Sequence, residues 1–267
     1  EHMVEIVAEA YDALTEKYLE NGELSEEEIL DGLRVGTMRN TFTPVLCGSA
    51  TMNVGVRQLL GAVCDFLPSP LDRTKAVGTN PKNNDLVERG PDEKEPFSAL
   101  VFKTTSDPYT GKITIFRIYS GTLNSDSTIY NASKGVEERI GQIYELEGKK
   151  QKPLKQAFAG DIVAVAKLKE TVTGDTLCDP ANPIVYEPAK QLLPVISYAI
   201  EPKTKADEDK IHNALHRLIE EEPTLESHRD PQTKEFIISG LGQVHLDVIV
   251  EKMKRKFNVD VVLKTPK

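Results

Sequence analysis

The sequence predicts a multi-domain α+β protein, and three observations carry that expectation. Residues 194–267 run through strand and helix patterns in the order β-α-β-β-α-β. Residues 96–190 offer only short strands between turn signals, while residues 1–70 offer helices and one strand. A chain of 267 residues has room for two or three domains of roughly 100–150 residues each.

The C-terminal pattern is the clearest. A strand over Val195–Glu201 leads to a helix near Asp207–Glu221, whose apolar residues Ile211, Ala214, Leu215, Leu218 and Ile219 fall on one face. Pro223 ends it. Leu225–Arg229 and Glu235–Ser239 read as a hairpin around Asp230–Pro231–Gln232–Thr233. Gly240–Leu241–Gly242 joins that hairpin to a helix over Gln243–Phe257, with Leu246, Ile249, Val250, Met253 and Phe257 inward. Two glycines one residue apart permit a tight turn and close approach of another surface. Val259–Leu263 is the last strand.

In the middle of the chain, Phe97–Thr104, Lys112–Ser120, Ser127–Asn131, Glu137–Glu145, Ile162–Leu168 and Thr176–Cys178 read as strands. Six or so short strands with regular turns predict a small closed β-barrel, since closure removes exposed edges. Residues 71–95 are polar and rich in Gly, Asn and Pro, and are expected to be a linker or long surface loop.

The first 70 residues begin with an acidic helix over 4–20, stopped by Gly22. Ser25 and Glu28 form a capping box that starts a helix to about Asn40. Thr43–Cys47 reads as a short buried strand, Gly48–Ser49–Ala50 as a loop, and Val54–Leu67 as a helix ended by Pro68. A lone strand has no ladder partner. It joins a sheet supplied elsewhere, or the segment packs as an irregular helical cap.

The net charge of −9 is concentrated at one end. Residues 1–70 hold 4 Lys and Arg against 12 Asp and Glu, whereas 71–193 hold 17 against 17 and 194–267 hold 12 against 13. No overall basic field attracts nucleic acid, so any RNA contact rests on local clusters. Lys149, Lys150, Lys152 and Lys155 form the densest of these; it reads equally as a solvated hairpin. Three scattered cysteines without CxxC spacing, Cys47, Cys64 and Cys178, predict buried free thiols in a reducing compartment. No apolar run approaches the ~20 residues that span a bilayer, and no secretory leader is recognised, so a cytoplasmic location is expected. His212 and His216 are spaced i, i+4, but the intervening Asn213–Ala214–Leu215 lacks the glutamate of a metalloprotease helix, and no metal site is read there. His245 beside the double-glycine turn reads as structural. Glu26–Glu28 suit the positive end of a helix; Glu220–Glu222, in a last turn, do not. No catalytic residue is assigned.

Several motifs, in order along the chain, resemble elongation factor G, the translocation GTPase of the ribosome. Ile200–Glu201–Pro202–Lys203–Thr204–Lys205–Ala206–Asp207 and Ser239–Gly240–Leu241–Gly242–Gln243–Val244–His245–Leu246 are similar to its third domain. Asp107–Pro108–Tyr109–Thr110–Gly111–Lys112, Arg117–Ile118–Tyr119–Ser120–Gly121–Thr122–Leu123, Ala159–Gly160–Asp161–Ile162 and Thr173–Gly174–Asp175–Thr176–Leu177 are similar to its second. Residues 1–70 resemble the last part of its α/β GTPase domain. The resemblance implies this piece, a linker over 71–95, the barrel over 96–190 and a ferredoxin-like module over 194–267.

By that resemblance, Gly48–Ser49–Ala50 is the fifth guanine-nucleotide motif, and Ser49 and Ala50 are expected to face guanine in an incomplete site. The parent is expected to use GTP and Mg²⁺. This chain lacks a Gly-x-x-x-x-Gly-Lys-Ser/Thr loop and an Asn-Lys-x-Asp motif, and is expected to be inactive alone. The implied partners are the ribosome, through small-subunit rRNA and ribosomal proteins, and indirectly tRNA and mRNA, with no membrane or DNA. Lys112, Arg117, Lys149 and Lys150 are the expected RNA-facing residues. Gln243 replaces the family's usual glutamate, and Lys167–Leu168–Lys169 a glycine-containing stretch, which reads equally as a divergent bacterial paralogue or as neutral drift. Another translational GTPase of the ribosome-protection or release type, or a stand-alone RNA- or protein-binding module, remain the alternatives.

Overall fold

The computed structural model describes residues 2–107, 111–148 and 150–266, with side chains throughout except at 107 and 205–209. The chain divides into two compact units, Glu1–Thr74 and Lys75–Lys267.

The first unit holds α1 (His2–Ala8), α2 (Asp12–Asn21), α3 (Glu26–Met38) and α4 (Val56–Phe66). The single helix expected over 4–20 is broken. The Glu9 and Ala10 amides donate to carbonyls three residues back, Ile6 and Val7, and Tyr11 is extended (φ −162°, ψ 154°). Thr15 Oγ1 donates to the Ala8 carbonyl at 2.8 Å and secures the break. The bend gathers Val7, Ala8, Ala10 and Leu14 into a small core, and Val7 lies so close to α3 that a Cβ on Gly32 would meet it at 2.5 Å. Gly22 closes α2 in the left-handed region (φ 73°), its N–H donating to Tyr18. The capping box forms as expected: Glu28 N–H donates to Ser25 Oγ and Ser25 N–H to Glu28 Oε2.

The buried strand over Thr43–Cys47 does not form. Residues 42–48 make no ladder, and Val45 and Leu46 are exposed. A strand needs a neighbour for its amides and carbonyls, and none of the described residues supplies one. Cys47 and Cys64 are exposed, contrary to expectation; only Cys178 is buried.

Among its described residues, the second unit carries thirteen strands before the C-terminal module. They are β1 (Ala76–Thr79), β2 (Leu86–Arg89), β3 (Ser98–Asp107), β4 (Gly111–Ser120), β5 (Thr122–Asn124), β6 (Thr128–Asn131), β7 (Val136–Arg139), β8 (Ile143–Glu147), β9 (Lys150–Leu154), β10 (Gln156–Phe158), β11 (Ile162–Ala166), β12 (Thr176–Cys178) and β13 (Val185–Tyr186). The expected linker is therefore a β-hairpin: β1 pairs with β2 and, on its other edge, with β13. Asn80, Asn83 and Asn84 lie in the turn. Asn84 takes a positive φ of 60°, and the Asn80 side chain accepts from Lys82 N–H.

The main sheet runs in the order β7-β6-β12-β3-β4-β11-β8-β9, and β5 pairs with β10. The sheet wraps one core containing Phe97, Val101, Phe116, Ile118, Ile143 and Leu177. Strand Glu137–Glu145 splits in two at Ile140–Gln142. Ser125 ties that corner together: its hydroxyl donates to Leu154 O (2.7 Å) and accepts from Ile143 N–H (3.2 Å). A second buried chain, Tyr186 Oη to Ser98 Oγ (2.7 Å) to Ser120 Oγ (2.6 Å) to Pro96 O (2.7 Å), fastens β13 to β3 and β4. Burial pushes the Tyr186 phenol up to about 12, against the Ser98 hydrogen bond. The Lys167–Leu168–Lys169 departure also has a structural role. Lys167 sits at φ 68°, and the next loop hangs its Lys169, Glu170 and Thr171 amides on the Glu138 carboxylate.

The module follows the expected order: β14 (Ile196–Pro202), α5 (Lys205–Glu221), β15 (Glu226–Arg229), β16 (Phe236–Gly240), α6 (Gln243–Phe257) and β17 (Val261–Lys264). The sheet order is β15-β16-β14-β17, all antiparallel. Ile211, Leu215 and Leu218 of α5 meet Leu246, Ile249 and Met253 of α6 in one core.

Candidate functional site

The Ser49–Ala50 loop is a tight reversal before α4. Ser49 N–H donates to Val54 O (2.9 Å), Val54 N–H donates back to Ser49 O (3.0 Å), and Ser49 Oγ lies 3.3 Å from Thr51 Oγ1. Ser49 N–H is thus consumed within the loop. Ala50 is exposed, and its N–H donates to nothing among the described residues.

Three of the four expected RNA-facing residues are described, and each has its own setting. Arg117 stands on the outward side of β4, where Thr114, Phe116, Ile118 and Ser120 alternate inward. Its register partners are Leu100 on β3 and the exposed Ile162 on β11, and it has no ion pair among the described residues. Lys150 is exposed on β9, directly across from Glu147, and the neighbouring Lys152 pairs with Glu145 at 3.0 Å. That hairpin face carries both signs of charge. Lys149 lies outside the described residues, as do Pro108–Thr110 of the barrel motif. Lys112 faces inward: its side chain is 15% exposed, Nζ is enclosed without a hydrogen bond, and Glu220 Oε1 lies 3.9 Å away.

At the double-glycine turn, Leu241 N–H donates to His245 Nδ1 at 3.1 Å. A Cβ on Gly240 would meet that Nδ1 at 2.7 Å and Leu246 Cδ2 at 2.8 Å, which is why the strand end must be glycine. His245 is a structural acceptor holding the turn. Gln243 Oε1 accepts from Tyr198 Oη at 3.0 Å, so the amide keeps an acceptor without a carboxylate charge.

The sequence reading missed one cluster. Glu220, Glu221 and Glu222 at the C-terminal end of α5 are all engaged. Glu221 accepts from Lys256 Nζ (2.9 and 2.8 Å) and from Ser106 N–H (2.5 Å). Glu222 pairs with Lys252, and Glu220 lies near Lys112 and His216. The available signal was that three carboxylates oppose the helix dipole there and need partners.

No metal-binding group of three or more ligating side chains occurs among the described residues, and no helix among them is long and apolar enough to cross a membrane. A β-barrel leading into a split β-α-β module is a two-domain scaffold, and a fold by itself does not fix a function. The family model for elongation factor G domain 2 matches residues 96–180, and that for Elongation Factor G, domain III, matches residues 193–265. Together these span more than half of the chain, which belongs to the elongation factor G family. A crystal structure of a protein from Thermus thermophilus is similar over 99% of this chain, with a TM-score of 0.78 and 28% identity. The present chain spans 37% of that one.

Proposed function

We propose that this chain is the end of the GTPase domain, the barrel and the third domain of an elongation factor G-like GTPase that drives ribosomal translocation in the cytoplasm. The observation that carries this reading is the match of two consecutive family domains, in order, to the barrel and the module. The barrel docks on small-subunit RNA through Arg117 and through Lys150 with its neighbour Lys149. Such phosphate contacts position a protein without reading sequence. Lys112 reaches RNA only where its setting against α5 opens. The module relays the nucleotide state, and tRNA and mRNA are moved indirectly.

GTP and Mg²⁺ belong to the whole protein. The Ser49–Ala50 loop fits one part of that task, since Ala50 N–H is free to donate to the guanine carbonyl while Ser49 shapes the turn. No P-loop is present in this sequence to hold the phosphates, so the chain alone does not hydrolyse GTP.

Cosedimentation with purified small ribosomal subunits over a salt series tests the docking. The chain pellets with the subunit, and Arg117→Ala weakens binding and lowers the salt slope by about 1. No cosedimentation at any salt concentration sinks the reading. Calorimetry with GTP and Mg²⁺ tests the nucleotide part: this chain shows no binding, and a version extended upstream through a P-loop does.

A further inference from the structure

The barrel and the module meet at the last turn of α5. Thr104 of β3 is buried, its hydroxyl donating to the Glu220 carbonyl and lying 3.1 Å from Thr173 Oγ1. Ser106 N–H, at the end of the same strand, donates to Glu221 Oε1. Lys112, on the paired strand, carries its ammonium to within 3.9 Å of Glu220. From the module side, Lys256 holds both Glu221 oxygens and Lys252 holds Glu222. Glu221 is only 7% exposed, so its charge sits away from water between a cation of the module and an amide of the barrel. A carboxylate in that setting is stabilised only while both partners stay in place.

We propose that Glu220 and Glu221 are a clasp that fastens the barrel to the module at this helix end and can open there. Lys256 orients Glu221, which accepts from Ser106 N–H of the barrel, while Thr104 Oγ1 of the barrel donates to the Glu220 carbonyl. Three like charges at the negative end of a helix are unfavourable on their own. Here the cations of α6 and Lys112 offset that, and the joint is specific because a backbone amide must find a carboxylate oxygen. The same clasp withholds Lys112 from solvent. The clasp does not depend on the ribosomal role: losing it would leave docking through Arg117 intact, and failed docking would leave it untouched.

The test uses the full chain with Cys47→Ser and Cys64→Ser, and spin labels at Glu137→Cys on β7 and Asp247→Cys on α6, both exposed positions. Pulsed electron resonance reads the distance distribution between barrel and module. The parent chain gives one narrow distance. A barrel-side variant, Thr104→Val with Lys112→Met, leaves the core of the module untouched and broadens the distribution. An acidic variant, Glu220→Gln with Glu221→Ala, does the same. Far-UV circular dichroism checks that both retain their secondary structure, and if the barrel-side variant unfolds, the acidic one decides. A folded acidic variant with the parent's narrow distance overturns the clasp, because it removes the Glu221 carboxylate that Ser106 N–H engages, and so does a parent chain that is already broad.

Discussion

Residues 1–74 and residues 75–267 make their secondary structure from equally clear patterns but bury their apolar side chains very differently. In the first unit, the fully buried apolar residues are Val7, Ala8, Ala10 and Leu14, all small or medium and all near one bend. Helix α4 forms with no buried residue; Leu60 is 63% exposed. In the second unit, three separate cores enclose whole large side chains, Phe116 in the barrel, Ile184 next to β13 and Ile238 in the module. An amphipathic pattern specifies which face of a helix is apolar, but only an opposing surface turns that face into a core. The second unit supplies its own opposing surfaces; the first does not among its described residues.

The contrast can be broken by truncation. Phe116→Ala should cost about 3–5 kcal/mol of stability, while Leu60→Ala should cost no more than about 0.5 kcal/mol. Urea unfolding followed by circular dichroism separates these, and comparable losses would show that α4 is packed in solution. Within the module, Gly240→Ala forces a methyl against His245 and Leu246 and should cost about 1–3 kcal/mol. A variant as stable as the parent would mean that the turn relaxes freely.

Local structure in the first unit should matter more than its packing. Ser25→Ala removes the capping-box acceptor of α3 and should cost about 1 kcal/mol, more than any truncation on α4. The smallest expected effect is a pH dependence in the barrel. Desolvation raises the Glu138 carboxyl, but the Thr171 hydroxyl and the Glu170, Lys169 and Thr171 amides outweigh it and hold the group below its ordinary value. A depressed carboxyl contributes stability above the unfolded-state value and loses it as the pH falls below about 5. Glu138→Gln should therefore flatten the acid side of the stability curve. An unchanged slope would show that the 167–171 loop is held by other contacts.

Much of this fold was legible in the chain. The Ser25–Glu28 box, the Gly22 stop, five of the six main barrel runs and the strand–helix order of the module all follow from short-range signals, and the structure reproduces them; the sixth run, Glu137–Glu145, is two strands. What escaped was pairing at a distance. The Ala76–Arg89 hairpin reads as a polar linker because half of its sheet partnership comes from Val185–Tyr186, about a hundred residues on. Strand Thr43–Cys47 has the right residues but no neighbour. On the site, the two glycines pointed to close approach, and His245 at Gly240 is the reason. Glu220–Glu222 read only as charges unsuited to a helix end, because their partners Ser106, Lys112, Lys252 and Lys256 come from other elements.

Element order, most helix boundaries and the family motifs are written in the amino-acid sequence, since each depends on residues a few positions apart, whose spacing sets period, caps and turns. Packing alone settled that Lys112 faces a helix end rather than solvent and that Arg117 stays outward. It also settled that three opposed carboxylates are neutralised in place. A charge's role depends on what lies within a few ångströms of it, and along a folded chain those neighbours are set by tertiary contacts and not by sequence distance.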